Sequence, residues 1–211
     1  MRTVFDPSIR AAALLLAAVS WSTAMAIEEA PYTTLEREGA LELRQYQPYV
    51  VAQTLVEGEF GTAGNEGFRR LFGYISGTNA GSKSIPMTAP VEQSKPGEKI
   101  AMTAPVVQQR EAQAWRIAFV LPAAYTLRNA PQPGDARVTL VQMPARPMAA
   151  VRYSGTWSRA NYDENLVKLQ RFIAQRKLTT VGEPVWARYN PPMMPWFLRR
   201  NEILIEVRPA Q

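Results

Sequence analysis

The amino-acid sequence predicts an α+β domain: a largely antiparallel sheet, curved or barrel-like, with two helices packed on it. Three observations lead there. Short segments rich in β-formers recur between Gly, Pro and Asn turns. Two longer stretches carry apolar residues at helical spacing instead. The order strand, strand, helix, strand, strand occurs twice, with a strand and a glycine before each helix, although the halves share little side-chain identity.

Tyr32–Arg37 is extended in character, and Leu41–Tyr46 alternates apolar and polar as a half-buried strand does. Gln47-Pro48 breaks it, and Tyr49–Val56, rich in β-formers, is its expected partner. Gly58, Gly61 and Gly64 read as a loop. A helix is predicted over Asn65–Ser76, where Phe68, Leu71, Phe72 and Ile75 fall at i, i+3, i+4 and i+7 and share one face. Arg69 and Arg70 lie beside that face, and Glu66 is the acidic residue on the same helix.

Next comes a doubled motif. MTAPV stands at Met87–Val91 and again at Met102–Val106, with Pro96-Gly97 as a turn signal between them. Folding back there sets Met87 opposite Val106, Ala89 opposite Ala104 and Val91 opposite Met102. The predicted hairpin then has one apolar face, with Thr88, Pro90, Thr103 and Pro105 on the other. Such a face suits the interior of the sheet. Met87 and Met102 also suit the lining of an irregular pocket, because the Met side chain adapts to its surroundings.

Trp115–Leu121, Val138–Gln142 and Met148–Tyr153 read as strands, and Gly155 ends the last of them. The second helix is predicted over Asn161–Lys177, with Leu166, Leu169, Phe172 and Ile173 on its apolar side. Asp163 and Glu164 in its first turn and Arg176 and Lys177 in its last would complement the helix dipole. Glu183–Tyr189 and Ile203–Val207 close the chain as strands, joined by the Pro-rich loop Asn190–Trp196. Arg199-Arg200-Asn201-Glu202 reads as a solvated turn that pairs locally.

The N-terminus has the layout of a secretory signal peptide. MRTVFDPSIR is basic, AAALLLAAVS is apolar and too short to span a bilayer, and Ala24-Met25-Ala26 fits a cleavage site. Cleavage after Ala26 would leave 27–211 as the mature domain and make the product exported, periplasmic or secreted. The formal net charge is +6; the leader holds Arg2, Arg10 and Asp6, so the remainder keeps +5. No Lys/Arg run is long enough for a nucleic-acid stripe. With no Cys and no His, disulfides, thiolate nucleophiles, Ser-His-Asp triads and zinc sites built on those residues are excluded.

Four stretches in order, FRRLFGYISGTN, KIAMTAPV, YNPP and FLRRNEILIEV, resemble the SOUL haem-binding protein family, and the likeness runs from about Tyr32 to Val207. The resemblance implies a pseudo-twofold βαββ repeat, with halves at about 32–110 and 114–208. It also implies a haem or related tetrapyrrole, held non-covalently in an apolar cleft beside the first helix, and a loop before the last strand that covers it. Carried onto this sequence, the helix positions are Phe68, Leu71, Phe72 and Ile75, with Arg69 and Arg70 as the basic residues beside them. The covering loop is Pro191–Trp196, including Met193, Met194 and Trp196; Met194 stands where a basic side chain can occur in the family. Ligation through His is excluded here, which leaves Tyr and Met as the main side chains able to reach iron.

The expected role is therefore a carrier, buffer or scavenger with a small-molecule tetrapyrrole as partner, and not an enzyme. Two other readings stay open on the residues alone. One is an effector-binding module for other amphipathic aromatic ligands, with Glu66 as its acidic group. The other is a protein-interaction domain without a small ligand, marked by an exposed apolar patch around Met193–Phe197.

Overall fold

The computed structural model describes residues 27–80 and 97–210. Its elements in chain order are β1 (Tyr32–Glu38), β2 (Leu41–Tyr46), β3 (Tyr49–Glu57), α1 (Phe60–Ile75), β4 (Asn79–Ala80), β5 (Val106–Glu111), β6 (Ala114–Val120), β7 (Gln132–Pro133), β8 (Thr139–Met143), β9 (Arg146–Tyr153), α2 (Arg159–Gln175), β10 (Leu178–Arg188) and β11 (Asn201–Pro209). Among them β4 and β7 form a small separate pair. The other strands make one sheet in the order β1-β2-β9-β11-β10-β5-β6-β3-β8, antiparallel at every pairing.

That order contains an internal twofold. From the β10–β5 pair outward, β5-β6-β3-β8 on one side mirrors β10-β11-β9-β2 on the other. The unit β3–β6 takes its last strand, β8, from later in the chain, and the unit β9–β11 takes its last, β2, from earlier: β8 pairs with β3, and β2 pairs with β9. The chain passes from β2 to β3 over only Gln47-Pro48, and from β8 to β9 over only Pro144-Ala145. These short connections draw distant parts of the strand order together, so the sheet curls without closing into a barrel.

Both helices lie on one face of the sheet. Strand alternation puts Val50, Ala52 and Val56 of β3 with Ile117 and Phe119 of β6 under α1, and Ala149, Val151, Ile203 and Ile205 of β9 and β11 under α2. The intervening residues, among them Val51, Ala118, Val120, Met148, Ala150 and Leu204, turn to the opposite face and form a third apolar cluster.

The first helix starts earlier than its sequence signals. Gly61 and Gly64, read above as loop residues, lie inside it. Its N-cap residue Glu59 makes no side-chain cap and no acid lies in its first turn. Tertiary packing fixes the start instead: the Phe60 ring sits 5.1 Å from Trp115 and 4.1 Å from Trp186, and Trp115 Nε1 donates to Gly58 O at 3.1 Å. Glycine serves close approach here. A Cβ on Gly67 would stand 2.7 Å from Ile117, and one on Gly64 2.9 Å from Gln108 Oε1.

The second helix is capped as sequence rules prescribe, with Ser158 accepting from the Asn161 N–H at 3.3 Å. It begins and ends two residues before the predicted bounds. Asp163 and Glu164 therefore fall beyond the first turn, Arg176 is the C-cap, and Lys177 lies past the helix at φ 51°. The dipole reading of these four residues is corrected accordingly.

Two further expectations change. The first MTAPV copy, Met87 included, lies outside the described residues. The second copy ends on Val106, which already pairs with Arg188 on β10 and Phe119 on β6, so it cannot also pair with Met87 in a ladder. Ala104 bridges to Glu29. Arg199-Arg200-Asn201-Glu202 is not a solvated turn throughout: Asn201 and Glu202 open β11 and are buried. Glu202 is held there by Arg44, whose Nη1 and Nη2 donate at 2.6 and 3.1 Å, by Arg200 Nη2 at 2.9 Å and by the Tyr189 hydroxyl at 2.8 Å. The chain continues as β11 because these partners satisfy the carboxylate without water.

Candidate functional site

Helix α1 stands on β3 and β6 and runs along β6, with Phe60 by Trp115, Gly67 by Ile117 and Phe68 by Phe119. Ala63, Gly67, Leu71, Tyr74 and Ile75 face the sheet and are buried. Two of the four predicted face residues, Leu71 and Ile75, are thus core. Truncating a buried Leu costs about 2–5 kcal/mol, so their first contribution is to stability.

The flanks of α1 differ in chemistry. On the β3 side, Arg70 donates to Leu55 O at 3.2 Å and pairs with Glu66 at 2.9 Å. Arg69, on the exposed surface, pairs with Glu66 at 2.6 Å. The hydrogen bond from Arg70, with help from Arg69, holds the Glu66 carboxyl below its ordinary pKa. Both arginines share this one carboxylate, which leaves the trio one positive charge in excess.

The β5 side is marked by Gly64, which faces Gln108, and Phe68 and Phe72 follow it at four-residue steps. Their rings stack at 5.9 Å and 11°, and Phe68 meets Phe119 edge-on at 5.3 Å. Even so, Phe68 is 37% and Phe72 46% exposed. Large aromatic surface is left uncovered on a helix whose other face is fully packed. Met102 lies on the segment tied to the end of α1 by Ile100 N–H to Ile75 O at 2.8 Å and to β6 by Thr103 to Val120 O; it is 48% exposed.

Since α2 stands on β9, β11 and β10, this aromatic flank looks across the central strands toward α2. The register row Arg188–Val106–Phe119 crosses the floor between the helices. Arg188 stacks its guanidinium 5.1 Å from Phe60 and 4.6 Å from Trp157. Burial draws its pKa below the usual value, opposed by Tyr153 and reinforced by Arg199. Among the described residues no carboxylate pairs with Arg188, whereas Arg200 nearby is bound to Glu29 and Glu202. Arginine stays charged even when partly buried, so Arg188 is a fixed cation with no counter-ion among the described residues.

The loop between β10 and β11 leaves the sheet at this same end. Arg199 organises it, donating to Met194 O at 2.8 Å and Pro192 O at 2.7 Å while its guanidinium stacks 4.4 Å from Trp157. Gly155 N–H donates to Trp196 O at 3.0 Å. Met193 is 82% exposed, and Trp196, Phe197 and Leu198, a single 3-10 turn, are exposed as well; Met194 is half-buried. No hydrogen bond, ion pair or ring contact among the described residues joins this loop to Phe68 or Phe72. The predicted residues therefore fall into the α1 flank, Met102, and a separately anchored loop. Phe119, Arg188 and Trp157 were not singled out from sequence. Their one sequence signal is an apolar or basic residue on the helix-facing side of a strand, or next to a helix start.

These features define a class: a curled antiparallel sheet of two swapped halves, both helices on one face, with uncovered aromatic rings on one helix and a buried arginine on the strands between them. The chain belongs to the SOUL heme-binding protein family, whose model matches residues 27–206. It is 27% identical over 171 residues to heme-binding protein 1 of Xenopus laevis, covering 80% of this chain and 84% of that protein. The heme-binding protein 1 of Xenopus tropicalis is 26% identical over the same shares. Among solved structures the chain is similar to the EcmrR C-terminal domain (TM-score 0.54, 9% identity, 85% of this chain and 99% of that one). It is also similar to a protein from Listeria innocua described as a hydrolase (TM-score 0.55, 11% identity, 82% and 94%). At such identities these two structures establish the fold alone.

Proposed function

We propose that this protein binds haem or a related tetrapyrrole in the groove beside α1, as an exported carrier, buffer or scavenger and not as an enzyme. The observation that carries the reading is the uncovered Phe68–Phe72 stack beside Phe119, with Arg188, which no described carboxylate pairs, two strands away on the same sheet face. A tetrapyrrole is a flat apolar ring with carboxylate arms, and this pairing of surfaces suits both parts. Bound haem would supply an iron centre; the chain's own residues supply an aromatic wall, a cation for a propionate and a Met-rich loop at the groove's end. Burying roughly 300 Å² of apolar surface at about 25 cal/mol/Å² contributes about 7 kcal/mol before the costs of association, which points to micromolar binding. The family membership and the heme-binding relatives support the ligand class. Export rests on the leader-like composition of residues 1–26.

A haemin titration followed by difference absorbance, with iron-free protoporphyrin in parallel, tests the reading. Saturable one-to-one binding of both is expected. If neither saturates, the proposal fails. The exposed Met193, Trp196, Phe197 and Leu198 favour a second reading, a protein-interaction surface without a small ligand. That reading predicts no binding of either pigment.

A further inference from the structure

The sheet face opposite the helices is also hollow. A solvent-open cleft with about 60 Å³ of enclosed space lies there between Tyr46, Tyr49, Val51, Met143, Arg146 and Met148, with further residues of both halves around it. Nothing in the tetrapyrrole reading uses this face, since Phe68, Phe72 and Arg188 lie on the other.

Its polar groups are unbalanced toward donors. Arg146 gives Nη1 to Glu206 at 3.2 Å and Nη2 to the Tyr49 hydroxyl at 3.3 Å, but its buried Nε has no hydrogen-bond partner among the described residues. The Tyr49 hydroxyl accepts from Arg146 and donates to nothing described. The Tyr46 hydroxyl likewise accepts from Arg44 at 3.4 Å with its own hydrogen unused. These three side chains adjoin: Tyr46 and Arg146 are register partners, and the Tyr46 and Tyr49 rings are 6.0 Å apart. Burial, first of all, pushes the Tyr46 hydroxyl above its ordinary pKa and keeps it a donor at neutral pH. Its charged acceptor is already engaged. The one carboxylate lining the cleft, Glu29, has both oxygens on Arg200, at 2.5 and 3.0 Å. Arg116, also in the lining, has a buried Nε without a partner too, but it is ion-paired with Glu111, whose own buried Oε2 accepts no hydrogen bond among the described residues.

A buried N–H without an acceptor is costly, and so is burying a donor cluster for no partner. A ligand that brings acceptors removes the cost, and a charged acceptor does so best. We propose that this cleft binds a small amphipathic carboxylate, its apolar body against Val51, Met143 and Met148 and its carboxylate on Arg146, Tyr46 and Tyr49. It is a second site, separate from the groove beside α1, and it selects anions over cations of the same shape.

The probe is 1-naphthoate, titrated into protein labelled with 13C at its methionine methyls, with 1-naphthamide and 1-naphthylmethylammonium as the neutral and cationic controls. The naphthoate should shift Met143 and Met148 saturably and leave Met102, Met193 and Met194 in place. The controls should bind about tenfold more weakly or worse. R146Q should weaken naphthoate by about tenfold, and Y49F by about threefold, while haemin binding stays unchanged in both. Y49F keeps the ring and the packing, so it and the control ligands decide the matter even if R146Q misfolds. Equal affinity for the three ligands, shifts confined to Met102, Met193 and Met194, or no saturable shift at Met143 and Met148 would each overturn the proposal. Loss of haemin binding in the wild-type protein would bear on the groove beside α1 and leave this test intact.

Discussion

Two residues show how a single charge is set by its surroundings. Glu202 is buried, and burial alone would raise its pKa, but the Arg44 fork, Arg200 and the Tyr189 hydroxyl outweigh that and lower it. A carboxyl whose folded pKa is depressed stabilises the fold above its unfolded pKa, about 4.3, and the contribution is lost as pH falls through the folded value. Wild-type stability in urea should therefore fall below about pH 4, and E202Q should flatten that part of the profile. E202A should cost about 3–5 kcal/mol at pH 7, because Arg44 is left buried without its main partner. Arg188 is the opposite case, a cation with no carboxylate partner among the described residues. Binding of protoporphyrin to R188Q should be about tenfold weaker than to the wild type, whereas the dimethyl ester should bind both alike. Equal loss for acid and ester would remove Arg188 from carboxylate recognition. Neither residue's state was legible in the sequence. The run RRNE looks solvated because four polar residues adjoin, and only the strand pairing shows that the last two are inside.

Among the elements, the helices differ in how openly they declare themselves. The start of α2 follows a local rule, a serine whose side chain accepts from the third residue on, and S158A should cost about 1 kcal/mol. For α1 the start is set by aromatic rings from β6 and β10, which no local pattern reveals, so the glycines around it read as a loop. Gly67 is the sharper test of helix-on-sheet packing. G67A would drive a methyl to 2.7 Å from Ile117, and about 1–3 kcal/mol of stability should be lost in thermal or urea unfolding. An unchanged midpoint would mean that the helix can shift outward freely. Helical spacing correctly placed Phe68, Leu71, Phe72 and Ile75 on neighbouring positions, yet it could not divide them. Leu71 and Ile75 are core while Phe68 and Phe72 are uncovered, because the face that packs on β3 and β6 is the one carrying Ala63, Gly67, Leu71, Tyr74 and Ile75.

For the whole molecule, the duplicated order of elements was readable from alternation and helical spacing, but the exchange of end strands was not. Since β8 completes the first half and β2 the second, neither half should fold alone. A fragment ending after β6 should give a disordered far-UV circular dichroism spectrum, and native-like strand signal from it would contradict the swapped topology. The same curl leaves both helices on one face, and the proposed groove lies between Phe68 and Phe72 on α1 and Arg188 on β10. The central claim is that this groove holds the pigment. The most direct measurement is a haemin titration of the wild type against the F68A/F72A double variant. Both rings are partly exposed, so the variant should keep the wild-type unfolding midpoint to within a few degrees. Its affinity for haemin should fall by about tenfold or more, from the loss of apolar contact. An undiminished affinity in a folded F68A/F72A protein would place the pigment elsewhere and contradict the account.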